Sequence, residues 1–216
     1  MVTIHQFYSN GKEIIKFAKQ FYQKRFPNAV FHFHDYSIGG GGIELAHSMG
    51  YELHSYNSGN GLAENDLLKV KNDCWKNDTT EWSLVCQIEE LLDINQENLL
   101  KEAISGETII SSFGFQMTNM EDGFEPEKLI YGFRDSIKYD KFLLFRNKVI
   151  TEMNWDKYSY CEPKGDIVKY SINRYALCVY KYITLEYLKS LNPDKTENEL
   201  KEEFNKARKN NMVKLF

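Results

Sequence analysis

Hydrophobic positions along this chain switch repeatedly between the short or alternating runs of strands and the three-and-four spacing of helices. Thr3 to Tyr8 is predicted as a first strand, closed by Ser9-Asn10-Gly11, a turn and helix-start signal. From Lys12 to Arg25 apolar residues fall at Ile14, Phe17, Ala18, Phe21 and Tyr22, one face of a helix that Pro27-Asn28 stops. Ala29 to Tyr36 predicts a second strand, with Phe31 and Phe33 on one face and His32 and His34 on the other. A short helix through Ile43, Leu45, Ala46 and Met49 ends at Gly50, and a third strand runs from Tyr51 to Tyr56. Leu62 to Lys76 reads as a helix with Leu67, Val70, Cys74 and Trp75 toward the core, and a fourth strand begins at Trp82. Strand and helix in this alternation predict an α/β fold, a mostly parallel central sheet with helices on both faces.

The second half is less regular. Asn95 to Ser105 is predicted helical with Gly106 as its stop, and Thr108 to Met120 returns as a strand. An acidic loop Glu121-Asp122-Gly123 and the segment Tyr131-Gly132-Phe133-Arg134-Asp135 follow. Strands are expected at Phe142–Phe145 and Val149–Asn154, with a turn at Asn147-Lys148, and a last strand at Tyr175–Ile183. Two helices close the chain, Leu185–Leu191 and Thr196–Asn210. The second is polar nearly all round, which suits docking on a partner domain or another subunit. The expected division is one domain over residues 1–185 and a C-terminal helical extension over 186–216.

With 216 residues, 42% of them hydrophobic, the chain can bury one substantial core. A net charge of −4 gives no reason to expect a nucleic-acid partner. No apolar run approaches the ~18–20 residues of a membrane span, and the N-terminus lacks the basic-then-apolar order of a signal peptide. The four cysteines are irregularly spaced, without zinc-ligand or redox spacing, and read as reduced packing residues of a cytoplasmic protein. All five histidines fall at or before residue 54.

Chemistry concentrates at Trp82–Leu92, where a short apolar strand ends on Glu89 and Glu90 before Leu91 and Leu92 resume. Acids at the carboxyl end of a buried strand lie where open α/β sheets bind ligands, although a solvated turn would also place two glutamates there. Gly39 to Gly42 stand between a strand and a helix and could bring backbone N–H groups to a phosphate, but the spacing is neither the dinucleotide fingerprint nor a P-loop. His32-Phe33-His34 can bind metal or can pack half-buried in a strand; the sequence places no third ligand.

The run from Asp35 to Gly50, Asp-Tyr-Ser-Ile-Gly-Gly-Gly-Gly-Ile-Glu-Leu-Ala-His-Ser-Met-Gly, resembles the early motif of family-2-like glycosyltransferases. There a strand ends in Asp, a polar turn follows, and an Ile-Glu-Ile-Ala-type helix ends at Gly. The resemblance covers residues 1 to about 155 and implies the glycosyltransferase A, nucleotide-diphospho-sugar transferase fold. It implies a donor nucleotide-diphospho-sugar, of uridine type, a carbohydrate or other hydroxyl acceptor, and Mn²⁺ or Mg²⁺ bridging the donor phosphates. Carried over by position, Phe7, Tyr8 and Ser9 line the base pocket, Asp35 bonds the base and Gln87 meets the ribose. Glu89 takes the metal-binding place, with Glu90 or Glu162 assisting, and Arg134 and Lys141, together with Lys138, are cations for the phosphates. Glu121, Asp122 and Asp135 are candidates for the base that deprotonates the acceptor. Two departures stand out: the family's Asp-x-Asp is here Gln87-Ile88-Glu89, and no histidine follows His54 to serve as a late metal ligand. They leave open a domain that binds nucleotide without turnover, or a nucleotidyltransferase using the same acids.

Overall fold

The computed structural model describes residues 1–37, 41–56, 64–118, 126, 131–134, 140–156, 161–182, 184–192, 194–209 and 213–214. Its centre is a parallel array. Strand β1 (Val2–Tyr8) lies between β2 (Val30–Asp35) and β4 (Trp82–Gln87), and β3 (Glu52–Ser55) extends the row beyond β2. Every residue of β1 is buried, as an interior strand covered on both faces requires. Helix α1 (Glu13–Arg25) covers one face, packing Ile14, Ile15, Ala18 and Tyr22 against Ile4, Tyr8 and Phe33. Helix α3 (Glu64–Asp73) and the Cys74-Trp75 turn cover the other, where Trp75 meets Phe7, Val85 and Phe145. Helix α2 (Ile43–Ser48) joins β2 to β3. The elements predicted up to residue 87 are therefore present, with ends shifted by up to three residues.

Beyond β4 the sheet is mixed. Strand β8 (Leu144–Arg146) pairs antiparallel with both β4 and β6 (Ile109–Thr118), so β6 runs in the same direction as β4. Helix α4 (Gln96–Ile104), which precedes β6, is capped by the Asn95 side chain accepting from the Asn98 N–H. Strand β7 (Tyr131–Arg134) pairs antiparallel with the far half of β6, and the short β12 (Val213–Lys214) pairs with β7. On the opposite side β6 is joined in parallel by β11 (Tyr170–Tyr182), which begins five residues before the expected strand. The expected strands around 142–145 and 149–154 do not pair with each other: β9 (Ile150–Glu152) instead forms a separate ribbon with β10 (Lys164–Gly165).

The strand expected to end on Glu89 and Glu90 stops at Gln87, and Glu90 to Leu92 form a strand of their own, β5, antiparallel to β11. Only Ile88 and Glu89 separate it from β4, yet its partner lies beyond β8 and β6. The sheet therefore curls, bringing the chain after β4 back toward the segment that precedes β8.

The two final helices are α5 (Leu185–Leu191) and α6 (Glu197–Lys209). Thr184 caps α5 by accepting from the Tyr187 N–H, and Tyr187 and Leu188 are buried. Helix α6 corrects the expectation of an all-polar surface: Leu200, Phe204 and Ala207 are buried, and the first two cluster with Leu188. That i, i+4, i+7 stripe docks α6 on its own chain. All four cysteines are free, and among the described residues no helix is long and apolar enough to cross a membrane.

Candidate functional site

The carboxyl ends of β1, β2 and β4 lie side by side. Tyr8 is in register with Asp35, and Phe7 with Gln87. Strand alternation sends Tyr8 and Asp35 to the α1 face and Phe7 and Gln87 to the α3 face, so the two predicted polar contacts straddle the end of β1. Phe7 and Tyr8 are fully packed, whereas Ser9 keeps part of its surface. Tyr36 reaches from β2 over β1 and donates to Gln87 Oε1 at 3.0 Å. The amide predicted to meet a ribose is thus held by a neighbouring ring.

Asp35 is buried at the end of β2. Its Oδ1 accepts the Ser37 N–H at 2.9 Å, and among the described residues its Oδ2 has no partner, as is true of the buried Ser37 hydroxyl. A buried carboxylate oxygen without a donor is costly in a finished core, and is a position from which a ligand N–H can be accepted. Tyr8 beside it has its hydroxyl pushed up to about 12, by burial first and then by the charges of Asp35 and Glu13. Gly42, opening α2, presses onto that ring: a Cβ there would stand 2.6 Å from Tyr8 Cε1. Gly11, at φ +82°, lies equally close to the ring of Tyr187. Helix α5 therefore seals the β1–α1 turn, a contact with no local signal in the sequence.

At the end of β4 the two adjacent glutamates have opposite environments. Glu90 is buried, accepts the Gln87 N–H at 3.0 Å and pairs with Lys141, itself buried. Burial raises its carboxyl, but the ammonium groups of Lys141 and Lys71 outweigh that and hold it below its usual range. Lys71 is buried beneath the same strand end, its ammonium 5.8 Å from the Phe7 ring centre, and burial lowers its pKa. Glu89 keeps partial solvent contact and pairs with no lysine or arginine among the described residues. Its carboxyl is pushed up to about 7, by burial first and then by the charge of Glu90.

The other predicted site residues separate from this edge or are already engaged. Lys141 serves Glu90. Arg134 pairs with Asp140 at 2.6 Å and donates to the Gly114 carbonyl, while Arg174 holds the same Asp140 at 2.8 Å. Glu162 is exposed, on the segment after the Trp155–Cys161 bridge, and its carbonyl accepts from Asn154. Glu121, Asp122, Asp135 and Lys138 lie outside the described residues, as do Gly39 and Gly40 of the glycine run. The sequence pattern did not single out Tyr36, Lys71 or Tyr187. Lys71 alone carried a signal, as a charge on the helix stretch whose neighbours Leu67, Val70 and Cys74 face the core.

Beside the Gln87–Glu89 turn a divalent cation would find one carboxylate that pairs with no lysine or arginine among the described residues, Glu89. Mg²⁺-type sites are often built from one or two carboxylates plus phosphate oxygens, so the donor set fits a cation that arrives with a diphosphate rather than one held by protein alone. An open, mainly apolar pocket lies at the opposite, amino edge of the sheet, lined by Met1, Phe26, Trp82, Leu99 and Leu100. It presents little chemistry.

No family model matches the chain, and no curated protein matches it. Among solved structures, S. aureus TarS aligns with 96% of this chain and 43% of its own, at 9% identity and a TM-score of 0.48. The TarS 1–349 structure aligns with 94% of this chain and 69% of its own, at 10% identity and a TM-score of 0.47. The chain thus spans less than half of the first of these proteins. At that similarity neither structure assigns an activity, a substrate or a partner to this chain.

Proposed function

We propose that this chain is a glycosyltransferase-type domain that takes a nucleotide-diphospho-sugar, of uridine type, at the carboxyl ends of β1, β2 and β4, and passes the sugar to a hydroxyl acceptor. One observation carries the reading: the buried Asp35 Oδ2, without a partner among the described residues, beside Tyr8 on the neighbouring strand end, one strand from the Gln87–Glu89 turn. An anionic acceptor at that depth suits a base N–H such as the imide of uracil. The diphosphate would then lie toward Glu89. Mn²⁺ or Mg²⁺, held by Glu89 and the phosphate oxygens, would neutralise charge on the departing nucleoside diphosphate. Glu121, Asp122 and Asp135 are the acids from which the base for the acceptor hydroxyl would come.

A second reading, nucleotide binding without turnover, is favoured by two contacts. Gln87 brings no charge and is tied to Tyr36, and Glu90 is neutralised by Lys141. A thermal-shift screen of nucleoside diphosphates and their sugars, with and without Mn²⁺, is the first test, because a ligand of the native state raises the midpoint by mass action. Donor hydrolysis or sugar transfer by the wild type that collapses in Glu89→Ala supports transfer. Chelator-insensitive nucleotide binding with no released nucleoside diphosphate supports the second reading. No stabilisation by any nucleotide overturns both.

A further inference from the structure

Four of the five histidines gather on the α3 face of β1, β2 and β3. Register sets His5 beside His32, His32 beside Glu52, and His34 beside His54. The rings stack, with centroids 4.7 Å apart for His5–His32 and 4.6 Å for His34–His54. The inner pair is complete as a hydrogen-bonded chain. Tyr56 Oη meets His34 Nδ1 at 3.0 Å, His34 Nε2 meets His5 Nδ1 at 3.0 Å, and His5 Nε2 meets Asp78 Oδ2 at 3.0 Å. With one proton in each link, every nitrogen there is satisfied.

The outer group is built differently. His32 Nδ1 and His54 Nε2 stand 2.9 Å apart, and Glu52 Oε1 faces both, at 3.8 and 3.9 Å. Those two separations exceed a hydrogen bond, and they are nearly equal. The point equidistant from the three atoms lies about 2.1 Å from each, the length of a zinc bond to nitrogen or carboxylate oxygen. Register brings Glu52 beside both imidazoles; the near-equal separations make the three atoms a donor set at a cation's width.

We propose that His32, Glu52 and His54 form a binding site for a divalent transition-metal ion of the zinc class, with a remaining position open to solvent. Two imidazole nitrogens and one carboxylate select such an ion over Mg²⁺ or Ca²⁺, which take oxygen ligands. Burial holds both His32 and His54 below their ordinary pKa, against the opposing pull of Glu52. Access is available, since the three side chains are 15%, 34% and 63% exposed for His32, His54 and Glu52. The site lies three residues along β2 from Asp35, about 10 Å at strand rise, and it does not rest on the reading of the carboxyl edge.

The test is zinc titration of the untagged, chelator-stripped chain against a chromogenic chelator, with Co²⁺ absorption reporting the coordination. One equivalent is expected to bind and to raise the unfolding midpoint. Losing even an outer-shell partner of a metal site costs ~10–100-fold in affinity, so His54→Ala and Glu52→Gln should each weaken binding at least about tenfold. His47→Ala, on the exposed end of α2, should leave it unchanged. Unfolding in chelator checks that each variant folds; Glu52→Gln is a surface change and decides the matter if His54→Ala does not fold. No zinc uptake by the wild type overturns the proposal. So does binding that survives His32→Ala and His54→Ala but disappears in His5→Ala, which would place the ion in the inner cluster.

Discussion

Glu90→Gln is the sharpest probe of how the β4 edge is held together. The substitution keeps the size of the side chain and a carbonyl for the Gln87 N–H, but takes the Glu90 charge away from the buried Lys141 and Lys71. Removing one partner of a buried pair costs ~3–5 kcal/mol, most of it the penalty for the charge left behind. Because the Gln87 bond survives in part, the lower end applies, about 3 kcal/mol, or roughly two decades in the folded-to-unfolded ratio. Urea unfolding at pH 7, followed by tryptophan fluorescence, measures it. The pH dependence has a definite sign. Lys71 already has a lowered pKa in the folded state, and without Glu90 it falls further. Between that value and the unfolded lysine value of about 10.4 the unfolded chain binds more protons, so stability rises with pH there. The defect should narrow from pH 7 toward pH 10. Glu90→Gln with Lys141→Met should cost less than the sum of the two singles. A single-mutant loss under about 1 kcal/mol, or strict additivity, would mean that the pair is solvated and the edge is not organised around it.

Other consequences are open to measurement. Asp35→Ala should weaken nucleoside-diphosphate binding by about 10- to 150-fold, the worth of one hydrogen bond to a charged group, read as a lost thermal shift relative to the variant's own ligand-free midpoint, which itself falls because the buried Ser37 N–H loses its acceptor. Gly42→Ala puts a methyl 2.6 Å from the buried Tyr8 ring and 3.0 Å from Ile15 Cδ1; overpacking of this kind costs ~1–3 kcal/mol, and a neutral result by urea unfolding would show that Tyr8 can move. Phe204→Ala should cost about 3 kcal/mol and raise amide exchange across α6; unchanged exchange would return that helix to the polar surface element that its composition suggests.

The first four strands and three helices were legible because strand alternation and helical spacing are local signals, present whether the partner follows closely in sequence, as β2 follows β1, or lies far along the chain, as β4 does. Phe31 and Phe33 against His32 and His34 is the clearest case, since strand alternation fixes their faces before any partner is known. Beyond Gln87 the pairings are long-range. Three apolar-flanked residues at Glu90 become a strand only because β11 lies beside them, and nothing local announces that. The same holds for the site. Asp35 and the Glu89–Glu90 pair could be placed at strand ends, but Lys141 arrives from a distant segment to neutralise Glu90. One signal was present and unread: Glu52-Leu53-His54 repeats, on the next parallel strand, the two-residue spacing of His32-Phe33-His34, and a one-strand step brings the two patterns together.

The ring of Tyr187 resting on Gly11 has a consequence for how this protein is made. The first turn of the chain is sealed by a residue translated long after it, and β1 also waits for β4 on its second side. A ribosome that has released only the first hundred residues presents an early half whose α1 turn is still uncovered. Closure of that turn is thus a late step in assembly, and a chain stalled or clipped before α5 should be recognised by proteases at the β1–α1 turn rather than at the break.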